Sequence, residues 1–197
     1  MIKSGKIKVS SKFDFYPVTK ENWKDFENLF GEKGACAGCW CMYWRMKRKE
    51  HDKLRGSGTK RKMKSLVNKG IIPGILAFDN EEPIGWCSVA PREDFPVLEN
   101  SKVLKRIDDE LVWSVVCFFI NKNYRKKGLS VELLNAVKNF VKMNKGKIVE
   151  GYPVEPKSGK TADAFAWTGL AAAYKKAGFK EVARRSETRP IMRYSIK

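Results

Sequence analysis

The residues that most invite chemistry lie in VCFFINKNYRKKGLSVELL, Val116 to Leu134. An apolar, strand-like run passes through Arg125-Lys126-Lys127-Gly128-Leu129-Ser130 into an apparent helix. Gly128 lets the backbone approach a ligand with no Cβ in the way. The helix that begins there adds unpaired N–H groups and the positive end of its dipole. Arg125, Lys126 and Lys127 add formal charge. Together these groups would cradle a phosphate or pyrophosphate. A solvated basic turn before a helix has the same local pattern. A second cluster is CAGCWC, with Cys36, Cys39 and Cys41 spaced Cys-x-x-Cys-x-Cys. Three thiolates and His51, the sole histidine, could bind zinc. The paired second knuckle of such sites is missing, and Trp40, Tyr43 and Trp44 crowd the thiols. The aromatics favour a role without a metal, and thiol redox chemistry is a further use.

These groups need a scaffold, and a length of 197 residues is most simply one domain. A hydrophobic share of 43% is enough for a core. No apolar run reaches membrane-spanning length. MIKSGKIKVSSKF is basic but lacks the apolar segment of a secretory signal. Residues 1–12 are expected to be a short, partly mobile basic arm, residues 13–197 the domain, and the location cytoplasmic by default. The net charge of +18 attracts anions, whether nucleic acid, acidic lipid or a phosphorylated ligand. A solvated basic surface explains it equally well. Five cysteines, an odd number, do not suggest a disulfide framework, and Cys87 and Cys117 fall within apolar runs.

Hydrophobic periodicity then orders the elements. FDFYPV alternates like a first strand. Thr19 is the expected cap of a helix carrying Trp23, Phe26 and Phe30, closed by Gly31. After the cysteine segment, RGSGTKRK is expected to be a mobile loop, and Thr59 to cap a second helix ending near Gly70. GILAFDNEEPIGWCSVA is a hairpin, and PREDFPVLENSK a polar loop. ELVWSVVCFFI, Glu110 to Ile120, is the most continuous apolar run and should be a central strand. Ser130 to Asn144 is an amphipathic helix. KIVEGYPV is a strand, DAFAWTGLAAAYKKAGF a helix closed by Gly178, and KEVARRS with RPIMRYSI a final strand pair. The order β, α, α, β, β, β, α, β, α, β, β describes a mixed α/β domain with helices covering a central sheet.

Here the chain resembles the GCN5-related N-acetyltransferase (GNAT) superfamily. Its signature, R/Q-x-x-G-x-G/A after a strand, reads Arg125-Lys126-Lys127-Gly128-Leu129-Ser130, with Ser130 in place of the usual Gly or Ala. AYKKAGFKEV is similar to the family's later motif, with Tyr174 four residues before Gly178 and then Phe179. GWCSVAPRED, VWSVVCFF and EGYPVE are similar to a bacterial and archaeal subgroup. The likeness covers most of the chain and is weakest from Gly34 to Lys64. It implies a mostly antiparallel central sheet with splayed central strands, flanked by helices. It also implies acetyl-CoA as cosubstrate, held by Phe118, Phe119 and Ile120 and by the residues Arg125 to Ser130. The implied reaction is acetyl transfer to a primary amine by direct attack in a ternary complex. Tyr174 stands at the position of the general acid. The Glu that serves as base in some members is replaced by Ser114. A water on Ser114, or Glu150 or Glu110, is the expected substitute. Cys39, Trp40 and Tyr43 would line the acceptor pocket. A homodimer is compatible with the family. The rival reading is a basic nucleic-acid-binding module without catalysis, zinc-containing if the thiols take a metal.

Overall fold

A computed structural model of the chain describes residues 5–157 and 166–197. They build one seven-stranded sheet with helices on both faces. In chain order the elements are β1 (Asp14–Pro17), α1 (Trp23–Phe30), α2 (Arg48–Leu54), α3 (Ser57–Asn68), β2 (Gly74–Asp79), β3 (Glu82–Pro91), α4 (Pro96–Glu99), β4 (Val112–Ile120), α5 (Leu129–Met143), β5 (Ile148–Gly151), α6 (Ala171–Lys176), β6 (Lys180–Arg184) and β7 (Pro190–Ser195). The strand order is β1-β2-β3-β4-β5-β7-β6, and only the central β4–β5 pair is parallel. This is the expected fold.

Two apolar clusters hold the layers together. On one face α5 buries Leu133, Leu134, Val137, Phe140 and Val141 against the sheet, beside Ala171 and Tyr174 of α6. On the other, Trp23, Phe26 and Phe30 of α1 and Met63 and Val67 of α3 pack with Trp40 and Trp86. Non-directional burial of this kind is the main stabilising term.

Several elements differ from the sequence reading. The basic segment after Met46 is helical: α2 precedes α3, and α3 starts at Ser57 with Thr59 inside it. The Thr59 hydroxyl donates to the carbonyls of Gly38 and Gly56, so tertiary docking replaces the expected cap. PREDFPVLENSK holds a 3₁₀ turn at Arg92–Asp94 and the short α4. The segment read as a mobile arm is anchored from Ile7, which is buried and whose N–H donates to the Phe15 carbonyl. β5 ends at Gly151 rather than running to Val154. The helix expected from Asp163 begins at Ala171, because Gly169 takes a φ of 85° and breaks it; the first residues of that expected helix lie outside the described ones.

Candidate active site

The site originates in a break in the sheet. Ser88 of β3 faces Cys117 of β4 and the next residue, Val89, faces Val115, so Val116 is an inserted bulge residue. Pairing between β4 and β5 stops at the same level, with Val115 opposite Gly151. Beyond it β4 runs on without β5. The N–H of Asn121 donates to Ile84 on the β3 side. By strand alternation the Phe118 and Ile120 amides face the gap that β5 has left. The Phe118 N–H there meets the Trp167 carbonyl at 2.6 Å, and the Arg125 Nε donates to the Ile120 carbonyl at 3.0 Å.

Past Ile120 the chain makes a 3₁₀ turn at Lys122–Tyr124, opened by the Asn121 side chain accepting from the Asn123 N–H. Lys126 and Gly128 both take positive φ, 59° and 85°. Gly128 is the N-cap of α5, with no side-chain cap, and a Cβ built on it meets nothing within 4 Å. Open backbone therefore faces space at a helix start, with Arg125 and Lys126 beside it.

Gap and turn open into one cavity of about 970 Å³. One end is lined by Phe118, Phe119, Ile120, Arg125, Lys126, Gly128, Ser130 and α6 residues including Lys176. The other is lined by the segment after α1 and by α2, including Cys36, Cys39, Cys41, Tyr43, His51 and Arg55, with Cys117 and Trp167 between. The cysteine segment is kinked, with positive φ at Ala35, Ala37, Trp40 and Cys41, a costly backbone that persists only when its surroundings enforce it. They do so here: a Cβ on Gly38 would strike the Gly56 backbone at 2.7 Å, and one on Gly34 the Trp40 ring at 2.2 Å. Cys41 Sγ lies 3.0 Å from Cys117 Sγ and accepts from the Trp86 indole. Burial pushes the Cys39 thiol up to about 11 and Cys41 well above the usual thiol value. Among the described residues no three His, Cys, Asp or Glu side chains are gathered to hold a metal ion.

A profile of the acetyltransferase (GNAT) family matches residues 23–150. The chain belongs to the GNAT family. No curated protein matches the sequence. Among solved structures, a GNAT-family acetyltransferase from Listeria monocytogenes superposes with a TM-score of 0.59 at 8% identity, covering 97% of this chain and 99% of that one. A ribosomal-protein-S5-alanine acetyltransferase from Vibrio fischeri superposes at 0.53 and 11% identity, over 98% and 97%. An acetyltransferase of the family from Streptococcus agalactiae gives 0.54 and 11%, over 94% and 95%. Identities this low carry the fold alone. Membership makes the chain an acyltransferase with acetyl-CoA as cosubstrate. The structure fits that molecule on its own terms: an unpaired strand edge leads to a glycine turn with free space above it and two cations alongside.

Against this GNAT site the individual residues separate. Phe118, Phe119, Ile120, Arg125, Lys126, Gly128 and Ser130 line the cavity. Lys127 instead lies over the Tyr124 ring, and Leu129 is buried in the core under α5. Cys39 and Tyr43 line the cavity, whereas Trp40 stacks on Phe30 in the α1 cluster. The structure does not bring Ser114 or Glu150 to the cavity lining. Glu150 Oε1 accepts from Arg92 and from the Tyr152 hydroxyl, its Oε2 accepts from Arg193, and Ser114 Oγ meets the same hydroxyl at 2.8 Å. That carboxylate is held in a closed cluster off the cavity lining, and Glu110 is exposed ahead of β4. Tyr174 is fully buried just behind the wall. Its ring is clamped between Gly151 and Gly169, where an added Cβ would approach it to 2.1 and 2.9 Å. Its hydroxyl donates to the Thr168 carbonyl at 3.3 Å, and burial holds its pKa well above the usual phenol value. Sequence reasoning missed Trp167, Cys117 and Arg55. Trp167 sat inside an expected helix, Cys117 inside a strand and Arg55 inside an expected loop, so nothing local marked them.

Proposed function

We propose that this GNAT protein transfers the acetyl group of acetyl-CoA to a primary amine by direct attack within one ternary complex. One observation carries the reading: the unpaired edge of β4, the cationic turn at Gly128 and a thiol-and-aromatic wall share a single cavity with room for two reactants. Acetyl-CoA supplies the activated acyl carbon, and the chain supplies position and charge. The turn's backbone amides, with Arg125 and Lys126, hold the diphosphate. The Phe118 and Ile120 backbone lies along the pantetheine arm like a neighbouring strand. The Phe118 N–H, released from the Trp167 carbonyl, stabilises the charge that develops on the acyl oxygen. Holding the two reactants in register supplies several kcal/mol more. Tyr174, kept protonated by burial behind the wall, donates to the departing thiolate once its hydroxyl leaves the Thr168 carbonyl.

The nucleic-acid alternative draws on net charge. Trp23 and Trp40, each with a lysine over its ring, are buried in the α1 cluster and offer no face for a base to stack on. Calorimetry with acetyl-CoA and with a single-stranded oligonucleotide, followed by a thiol-release assay over a set of amines, decides between them. Saturable acetyl-CoA binding with amine-dependent thiol release supports transfer. Absence of acetyl-CoA binding overturns it.

A further inference from the structure

The cavity has a charge character that narrows its substrate. Among the described residues the lining includes five basic side chains, His51, Arg55, Arg125, Lys126 and Lys176, and no aspartate or glutamate. Arg125 and Lys126 belong to the turn at Gly128. Arg55 lies far along the wall, at the end of α2, beside the thiols and Tyr43. It pairs with Asp52 at 3.0 Å, and Asp52 also accepts from Arg48. Two guanidiniums against one carboxylate leave that group net positive, and a guanidinium with one partner keeps further N–H donors for a second. The rest of the wall is largely apolar and aromatic, with Ala35, Ala37, Cys39, Tyr43, Phe119 and Trp167.

Resting on the acetyl-transfer reading above, we propose that the acceptor is a small amine that also carries a carboxylate, an amino acid with an apolar side chain. Arg55 takes the carboxylate, while the aromatic and thiol wall takes the side chain. A polyamine would leave its remaining ammonium groups desolvated with no carboxylate to pair them, a costly arrangement. The same charge pattern answers the question of the base. The cations of this wall disfavour the ammonium form of the acceptor and lower its pKa. The neutral amine needed for attack is then populated without a carboxylate on β4 or β5, and the Glu150 cluster is free to remain structural.

The test is steady-state thiol release with acetyl-CoA and matched acceptors: phenylalanine, leucine and alanine, each beside its amide, plus the dipeptide Leu-Gly and spermidine. The free acids are expected to exceed their amides in kcat/KM by about tenfold or more, the scale of a hydrogen bond to a charged group. Arg55→Met should bring acid and amide together and leave the KM for acetyl-CoA unchanged. Arg55→Lys should restore part of the preference. The pH profile of kcat should inflect below the ammonium pKa of the free amino acid. Preference for Leu-Gly over leucine would overturn the free-acid assignment. Preference for spermidine or the amides, transfer to none of the free acids, or an Arg55→Met change confined to acetyl-CoA would overturn the inference and leave acetyl transfer standing. Loss of acetyl-CoA binding in wild-type protein would instead overturn acetyl transfer itself.

Discussion

On one side of Val116, β4 is an ordinary central strand; on the other it lacks its β5 neighbour. Where Ser114 faces Glu150 across paired backbone, the side chains close into Arg92, Glu99, Glu150, Tyr152, Arg193 and Asp108, each ion answered by another. Past the bulge β5 falls away, the backbone faces a cavity, and the charged side chains on the lining are cationic. The difference teaches that burial and ionisable groups alone do not mark a site. The closed cluster is satisfied and static. The open region presents backbone and cations to a cavity, with room for a ligand beside the contacts they already make.

Breaking the closed cluster should cost the most. Glu150→Ala takes the buried acceptor from Arg92 and Arg193, leaving them Glu99 and Asp108, and chemical denaturation should show a loss of roughly 3 kcal/mol. The KM for acetyl-CoA in the surviving fold should stay near the wild-type value. A normal stability with lost turnover would instead make Glu150 catalytic. Tyr174→Phe sharpens the boundary. It removes one hydroxyl from behind the cavity wall, and under the proposed donor role kcat should fall on the order of 100-fold. The accompanying stability change should be about 1 kcal/mol, that of one neutral hydrogen bond. Gly128→Val tests the open side alone. A Cβ there meets no protein atom, so only backbone strain at positive φ, about 1–3 kcal/mol, weighs on the fold. Calorimetry should show acetyl-CoA affinity falling by about tenfold or more on the same strain scale. The smallest effect is in the thiols. With Cys39 raised to about 11 by burial, its alkylation should be slow near neutrality and climb with pH up to that value. Fast alkylation at pH 7 would contradict the burial.

How much of this was readable beforehand follows from how local each feature is. The turn at Gly128 is a contiguous run whose chemistry is written in order, and all four of Arg125, Lys126, Gly128 and Ser130 line the cavity. Leu129 follows the 3.6-residue period into the core instead, so its place in the signature is structural. The acceptor end is assembled from four separate segments, and no spacing in the chain links Cys117, Trp167 and Arg55 to Cys39. Glu150 shows the converse error. Its position on a strand beside β4 suggested a base, yet its neutralising partners, Arg92 and Arg193, come from 58 and 43 positions away.

The order of the strands, the glycine turn before α5 and the family were determined by the sequence itself. Each rests on periodicity or on a motif within a few residues, where propensity and local sterics decide. Only the tertiary structure decided where β4 and β5 part, that the basic segment after Met46 folds as two helices docked on Gly38, and which ionisable groups are shut away from the cavity. Those outcomes depend on long-range pairing and packing, whose energy resides in contacts between residues that the linear order keeps apart.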